Sequence, residues 1–202
     1  LVFERIENIA VLNVPCGNVI IELYPKLSPN SVKRFKMLIE TGEYNDVAFH
    51  RVIKKFLVQA GDLEYGKRNN INYTYLGTGS SKFGNIKSEV NEPFSFVRGS
   101  VGMARKSEMN TEDSQFFILL KDAPLFEGEY TPVGKVLYGL KALEKIKNSK
   151  GFVSEYAKST ISEDMAETFS FMMSDNNLIL DMISKDEILN KKVRIIKNIV
   201  KK

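Results

Sequence analysis

The sequence predicts a mainly β fold, built as an antiparallel barrel or sandwich. Three observations predict it. The chain opens on a hairpin pattern. Strand-like runs then follow one another through loops rather than crossover helices. Only two short helical patterns interrupt the first 150 residues. At 202 residues, 43% hydrophobic and 27% charged, the chain fits one domain spanning 1–202.

The elements follow in order. Ile9-Ala10-Val11-Leu12-Asn13-Val14 and Asn18-Val19-Ile20-Ile21-Glu22-Leu23-Tyr24 flank a turn from Pro15 to Gly17. Ser28 as N-cap and Pro29 at the first helical position start a helix. Its core face is Val32, Phe35, Leu38 and Ile39, and Gly42 is its C-cap. A single strand is expected over 49–58. Residues 63–88 are polar and turn-rich and read as a long loop. Its Gly77-Thr78-Gly79 is a weak phosphate-loop signal, and no Gly-Lys-Ser/Thr follows it.

Strands are expected again over 100–104, 114–120 and 131–136, then a short helix over 140–147. The character changes at Gly151. Thr160-Ile161-Ser162-Glu163 matches a capping box, and Ile161, Met165, Phe169 and Met172 give a helical stripe. Residues 151–190 therefore read as a helical insertion, with a closing strand over 193–200.

Composition excludes several chemistries. One cysteine, Cys16, allows no internal disulfide, and one histidine, His50, leaves too few ligands for a His/Cys metal set. No cofactor or metal is expected. Both Ser-His-Asp and Cys-His chemistry would need His50, which reads instead as a structural residue. No run of about 18 apolar residues exists, so no membrane span is expected. The net charge of +4 is concentrated near the C-terminus and does not point to nucleic acid.

The most informative stretch is Phe49-His50-Arg51-Val52-Ile53-Lys54-Lys55-Phe56-Leu57-Val58-Gln59-Ala60-Gly61-Asp62. On one extended strand, Arg51 and Gln59 would share a face with Phe49, Ile53 and Leu57. A guanidinium beside apolar surface costs desolvation free energy unless it is paired. Two readings stand: a buried strand whose arginine finds a distant acceptor, or a site offering a charged donor to a neutral, partly apolar ligand.

Two further constellations accompany it: Gly102-Met103-Ala104-Arg105 with Ser114-Gln115-Phe116-Phe117-Ile118, and Ala123-Pro124-Leu125-Phe126 running on to Tyr130-Thr131-Pro132-Val133-Gly134-Lys135-Val136. In this order the three motifs resemble the cyclophilin family of peptidyl-prolyl cis-trans isomerases, and bacterial members of the alphaproteobacterial kind most of all. The resemblance covers roughly residues 7–148 and resumes at the final strand.

The resemblance implies an eight-stranded antiparallel closed β-barrel capped by two α-helices, with the active groove on its outer face. It implies Arg51, Phe56 and Gln59 as catalytic residues. Leu57, Met103, Ala104, Phe117, Leu125, Phe126 and Tyr130 would contact substrate. Ala60 stands where glycine is common, and Tyr130 where many members have histidine. Leu125 stands where many eukaryotic members have tryptophan, which removes an indole N–H donor and is expected to weaken cyclosporin binding. The charged loop Arg105-Lys106-Ser107-Glu108-Met109 is expected to alter preference around the proline.

The implied function is cis-trans isomerisation of X-Pro bonds in protein folding, by a monomer acting on proline-containing polypeptides. The alternative is a proline-binding chaperone or scaffold module with little turnover, and 151–190 is a candidate docking segment. The expected compartment is bacterial periplasm or cytoplasm. The bacterial likeness and the start at Leu1 without methionine lean towards the periplasm.

Overall fold

A computed structural model describes residues 6–146, together with residues 180, 183, 184, 186, 187, 189–191, 193 and 194. The chain divides into two units: residues up to His50 with Lys54–Ile146, and Arg51–Ile53 with the C-terminal part.

The first unit is mainly β. A hairpin joins β1 (Ile9–Val14) to β2 (Gly17–Leu23), with Val14 opposite Gly17. Helix α1 covers Pro29–Glu40. Strand β3 (Arg51–Ile53) belongs to the second unit. Then come β4 (Leu57–Ala60), β5 (Ser100–Met103), β6 (Phe116–Leu119), β7 (Pro132–Tyr138) and helix α2 (Leu140–Glu144). The antiparallel strands of this unit lie in the order β1-β2-β7-β5-β6-β4.

The start of α1 is capped differently from expectation. Ser28 occupies the N-cap position but makes no side-chain cap bond, and its hydroxyl donates to the Pro132 carbonyl instead. The first-turn N–H groups, which have no intrahelical partner, go to Glu89, whose carboxylate accepts from Asn30 N at 3.0 Å and Ser31 N at 2.9 Å. A carboxylate there also complements the helix dipole. Val32, Phe35 and Leu38 are buried, whereas Ile39 is 40% exposed and not core. Gly42, at φ +71°, follows the C-cap Thr41.

Strand β6 is buried on both faces, so its residues alternate between two cores. Phe116 meets Phe35 and Tyr44, with ring centroids 5.1 and 5.4 Å away. Phe117 turns the other way. This alternation lets one strand support α1 and the candidate site together.

Two sequence expectations need correction. Residues 49–58 are not one strand. A turn at 54–56, with Lys55 at φ +59°, separates β3 from β4, so Arg51 and Gln59 stand on different strands. The shared-face argument from their spacing therefore fails. The closing strand over 193–200 is also not formed where it is described, because Val193 and Arg194 are helical. Asp186 caps that helix by accepting from Leu189 N at 3.0 Å, Glu187 pairs with Lys191 at 2.9 Å, and Leu189 and Val193 are buried four residues apart. The cap and the four-residue repeat outweigh the β-branched residues.

The expected insertion helix over 161–172 lies outside the described residues. Seven strands form among the described residues. No helix among them is long and apolar enough to cross a membrane.

Candidate active site

The site is built on the β4–β6–β5 part of the sheet. Gln59 stands opposite Phe117, and Phe117 opposite Gly102. Leu57 pairs with Leu119, and the two-residue period places Leu57, Gln59, Gln115, Phe117 and Leu119 on one face. Gly102 matters because the Phe117 ring lies across it. A Cβ there would sit 2.5 Å from Phe117 Cζ. Any side chain would push that ring away.

Phe117 is the centre of an aromatic cup. Its ring lies 5.3 Å from Phe126 and 5.3 Å from Tyr130, both edge-on. Phe126 and Tyr130 are 4.6 Å apart, and Phe56 meets Phe126 at 5.9 Å. Phe96 backs Phe117 at 6.0 Å. Each such pair contributes about 0.5–1.5 kcal/mol beyond area burial, enough to fix the ring positions. Phe126 comes from a short 3-10 turn at Pro124–Phe126. In that turn Leu125 points away and is 88% exposed.

A polar relay borders the cup. Gln59 Nε2 donates to Gln115 Oε1 at 2.9 Å. Gln115 Nε2 in turn donates to the carbonyls of Gly77 and Gly79, both at 2.9 Å. Those two carbonyls fix which end of the Gln115 amide carries nitrogen, so its oxygen must face Gln59. The carbonyls are themselves placed by Asp62. This carboxylate is fully buried and accepts from Tyr65 N at 2.8 Å, Gly77 N at 2.6 Å and Gly79 N at 3.1 Å. Gly77-Thr78-Gly79 thus cradles an anion, but the anion is the protein's own Asp62. A Cβ at Gly79 would collide with Asp62 Oδ1, which explains the glycine.

The pattern of the family described as cyclophilin type peptidyl-prolyl cis-trans isomerase/CLD matches residues 9–165. The chain belongs to the cyclophilin family. It is 45% identical over 143 residues to a probable peptidyl-prolyl cis-trans isomerase of Brucella suis, covering 70% of this chain and 72% of that protein. A peptidyl-prolyl cis-trans isomerase of Helicobacter pylori is 38% identical, over 68% of this chain and 79% of the relative. The crystal structure of a Cryptosporidium parvum cyclophilin, determined in the presence of the dipeptide Ala-Pro, matches with a TM-score of 0.58. That match is 30% identical and covers 67% of this chain and 84% of the other.

Of the residues that the sequence points to, this cyclophilin brings Phe56, Phe117, Phe126 and Tyr130 together as ring neighbours. Gln59 and the buried Leu57 share the Phe117 face. Met103 is different. It is fully buried and pairs with Phe116, so the register turns its side chain to the opposite face. The Ala104 N–H is already engaged, donating to the Gln115 carbonyl at 2.9 Å. Arg51 is half-buried at the start of β3, in the second unit.

Two contributors, Gln115 and Phe96, are given no role by the sequence reading, and a third, Arg105, enters it only as part of a charged loop. Gln115 had a usable signal, since it lies two before Phe117 and so shares its strand face. Phe96 had alternation in Phe94-Ser95-Phe96. Arg105 opens the charged loop expected to alter preference around the proline, and the structure gives it a specific place. Its side chain is only 10% exposed and lies over the Tyr130 ring.

Proposed function

We propose that this cyclophilin catalyses rotation about X-Pro bonds in the cup of Phe56, Phe117, Phe126 and Tyr130, with Arg51 as the donor that favours the twisted imide. The single observation that carries the reading is the edge-on ring set around Phe117, beside the Gln59–Gln115 relay. A pyrrolidine ring has three methylenes. Burying them contributes about 2.4 kcal/mol, which anchors proline while the rest of the peptide turns.

The reaction needs no nucleophile. The barrier of about 18–20 kcal/mol is the lost amide resonance of the twisted bond. On twisting, the proline nitrogen becomes pyramidal and regains a lone pair, which an arginine N–H can bind. A planar imide offers no such acceptor, so the stabilisation is confined to the twisted state and raises the rate. Arginine suits this role because it stays protonated and keeps a rigid fork. One pre-organised charged donor supplies about 3–4 kcal/mol, by analogy with an oxyanion-hole donor. Gln59, with Leu57 and the Ala104 backbone, is proposed to hold the peptide.

Support comes from the match of residues 9–165 to the family and from the Cryptosporidium relative determined with a proline dipeptide. We extend the proposal to an eight-stranded closed barrel in one domain, acting as a monomer. Cyclosporin binding is weakened because Leu125 offers no N–H donor.

The test is a protease-free isomerisation assay on a proline tetrapeptide. Arg51→Ala is expected to lose at least about tenfold in kcat/KM with the fold intact. Turnover equal to the parent refutes the donor role. Tight peptide binding by the parent without turnover makes the chain a proline-binding scaffold instead.

A further inference from the structure

The structure assigns Arg105 as a positioning residue that holds Tyr130 in place as one wall of the cup. The inference rests on the cup being the active site. It adds a residue that acts through Tyr130 and not on the peptide.

The geometry of the guanidinium carries the argument. Its Cζ lies 5.0 Å from the Tyr130 ring centroid, a cation–π distance. Nε donates to the Glu129 carbonyl at 3.0 Å. Nη1 donates to the carbonyls of Lys106 at 3.1 Å and Ser107 at 2.9 Å. Nη2 reaches Glu129 Oε2 at 3.0 Å. Four of the five N–H donors are therefore spent on the protein, and the side chain is 10% exposed. A group so committed has little left to offer a substrate.

The ion pair is the lesser part of this arrangement. Glu129 is 60% exposed, and exposed pairs contribute little. The three carbonyl bonds and the ring contact do more. The bonds to Lys106 O and Ser107 O brace the loop after β5, and the bond to Glu129 O joins that loop to the segment leading into β7. The ring contact presses Tyr130 towards Phe126 and Phe117. Tyr130 needs such a hold. It sits at the end of a turn and is only half-buried, packed on one side by the cup.

Lysine cannot replace this arginine. An ammonium offers three donors from one point and cannot satisfy carbonyls spread around a planar fork while covering a ring. The substitution Arg105→Lys would keep the charge and lose the clamp.

The experiment is a double-mutant cycle with Arg105→Ala, Tyr130→Ala and the pair, read as kcat and KM on a proline tetrapeptide with melting temperatures alongside. Arg105→Ala is expected to lose about tenfold in kcat/KM, mostly through KM, and Arg105→Lys to recover little of it. In the Tyr130→Ala background, Arg105→Ala is expected to cost no more than about twofold. Losses that multiply in the double variant overturn the inference, because Arg105 would then act independently of Tyr130. Full activity in Arg105→Ala, with Tyr130→Ala impaired, also overturns it and leaves the cup standing. Full activity in Tyr130→Ala and Phe126→Ala together marks failure of the site reading itself. A fall in melting temperature that alone accounts for the activity loss makes Arg105 structural, which also overturns its positioning role.

Discussion

Replacing Gln115 by glutamate changes one NH2 to oxygen and leaves the shape of the side chain unchanged. In the parent, that NH2 donates to Gly77 O and Gly79 O, each at 2.9 Å. In Gln115→Glu, a carboxylate oxygen faces the same two carbonyls. Two hydrogen bonds of about 1 kcal/mol each are lost, and two acceptors are left facing an acceptor. The site is half-buried, so water relieves part of this, and the cost comes to about 3 kcal/mol. For a chain of this length that lowers the melting temperature by about 6–12 °C.

The variant keeps the oxygen that accepts from Gln59, so any loss of turnover reports the detached 77–79 loop. A drop of about tenfold in kcat/KM is expected, the equivalent of one hydrogen bond of about 1.4 kcal/mol. The pH dependence supplies a check. Facing carbonyls, the new carboxyl titrates above its usual value, so the protonated form is the one the fold favours. Protonation restores a donor, and the deficit should shrink as pH falls towards about 5. Thermal melts at several pH values and the isomerisation assay measure all three quantities. A variant that melts within a degree of the parent and turns over equally well would sink the relay.

Tyr44 donates to Ser114 O at 2.7 Å, and burial, with Asp113 adding, holds its pKa well above 10. The neutral phenol is thus favoured in the fold. Its contribution is present below about pH 10 and lost as pH rises through the raised value. Tyr44→Phe should cost about 1 kcal/mol at neutral pH and flatten the alkaline fall in urea unfolding, which Tyr24 and Tyr65, also raised, keep from vanishing. An unchanged slope would contradict the assignment. Gly102→Ala places a Cβ 2.5 Å from Phe117 Cζ and 3.0 Å from Phe96 Cε1. It should destabilise by about 1–3 kcal/mol and lower kcat/KM, and a silent variant would argue against the cup. Leu125→Trp should raise cyclosporin affinity about tenfold by restoring one N–H donor, measured by calorimetry; equal affinity would show that the exposed turn is not a ligand contact.

Residue order alone establishes the family, the antiparallel β class and most of the cup. Three motifs held in order carry that information. Side chains such as Phe117, Phe126 and Tyr130 are large and apolar and must gather somewhere. Local signals also place the hairpin and α1, although the C-cap is Thr41 and Gly42 is the residue after it. They fail where a local rule meets a competing one. The apolar run at 49–58 hides a turn at Lys55, and β-branched Val193 hides a helix that its Asp186 cap announces.

Which polar groups meet is settled in three dimensions alone. Glu89, and not Ser28, caps α1 from 58 residues away in sequence. Asp62 fills the Gly77-Thr78-Gly79 cradle, and Gln115 faces Gln59. Arg105 covers Tyr130. The physical reason is directionality. Apolar burial follows from composition and period, because it is proportional to area and indifferent to orientation. A hydrogen bond needs one donor and one acceptor within about 3 Å and in line, and chain folding alone brings such distant pairs together.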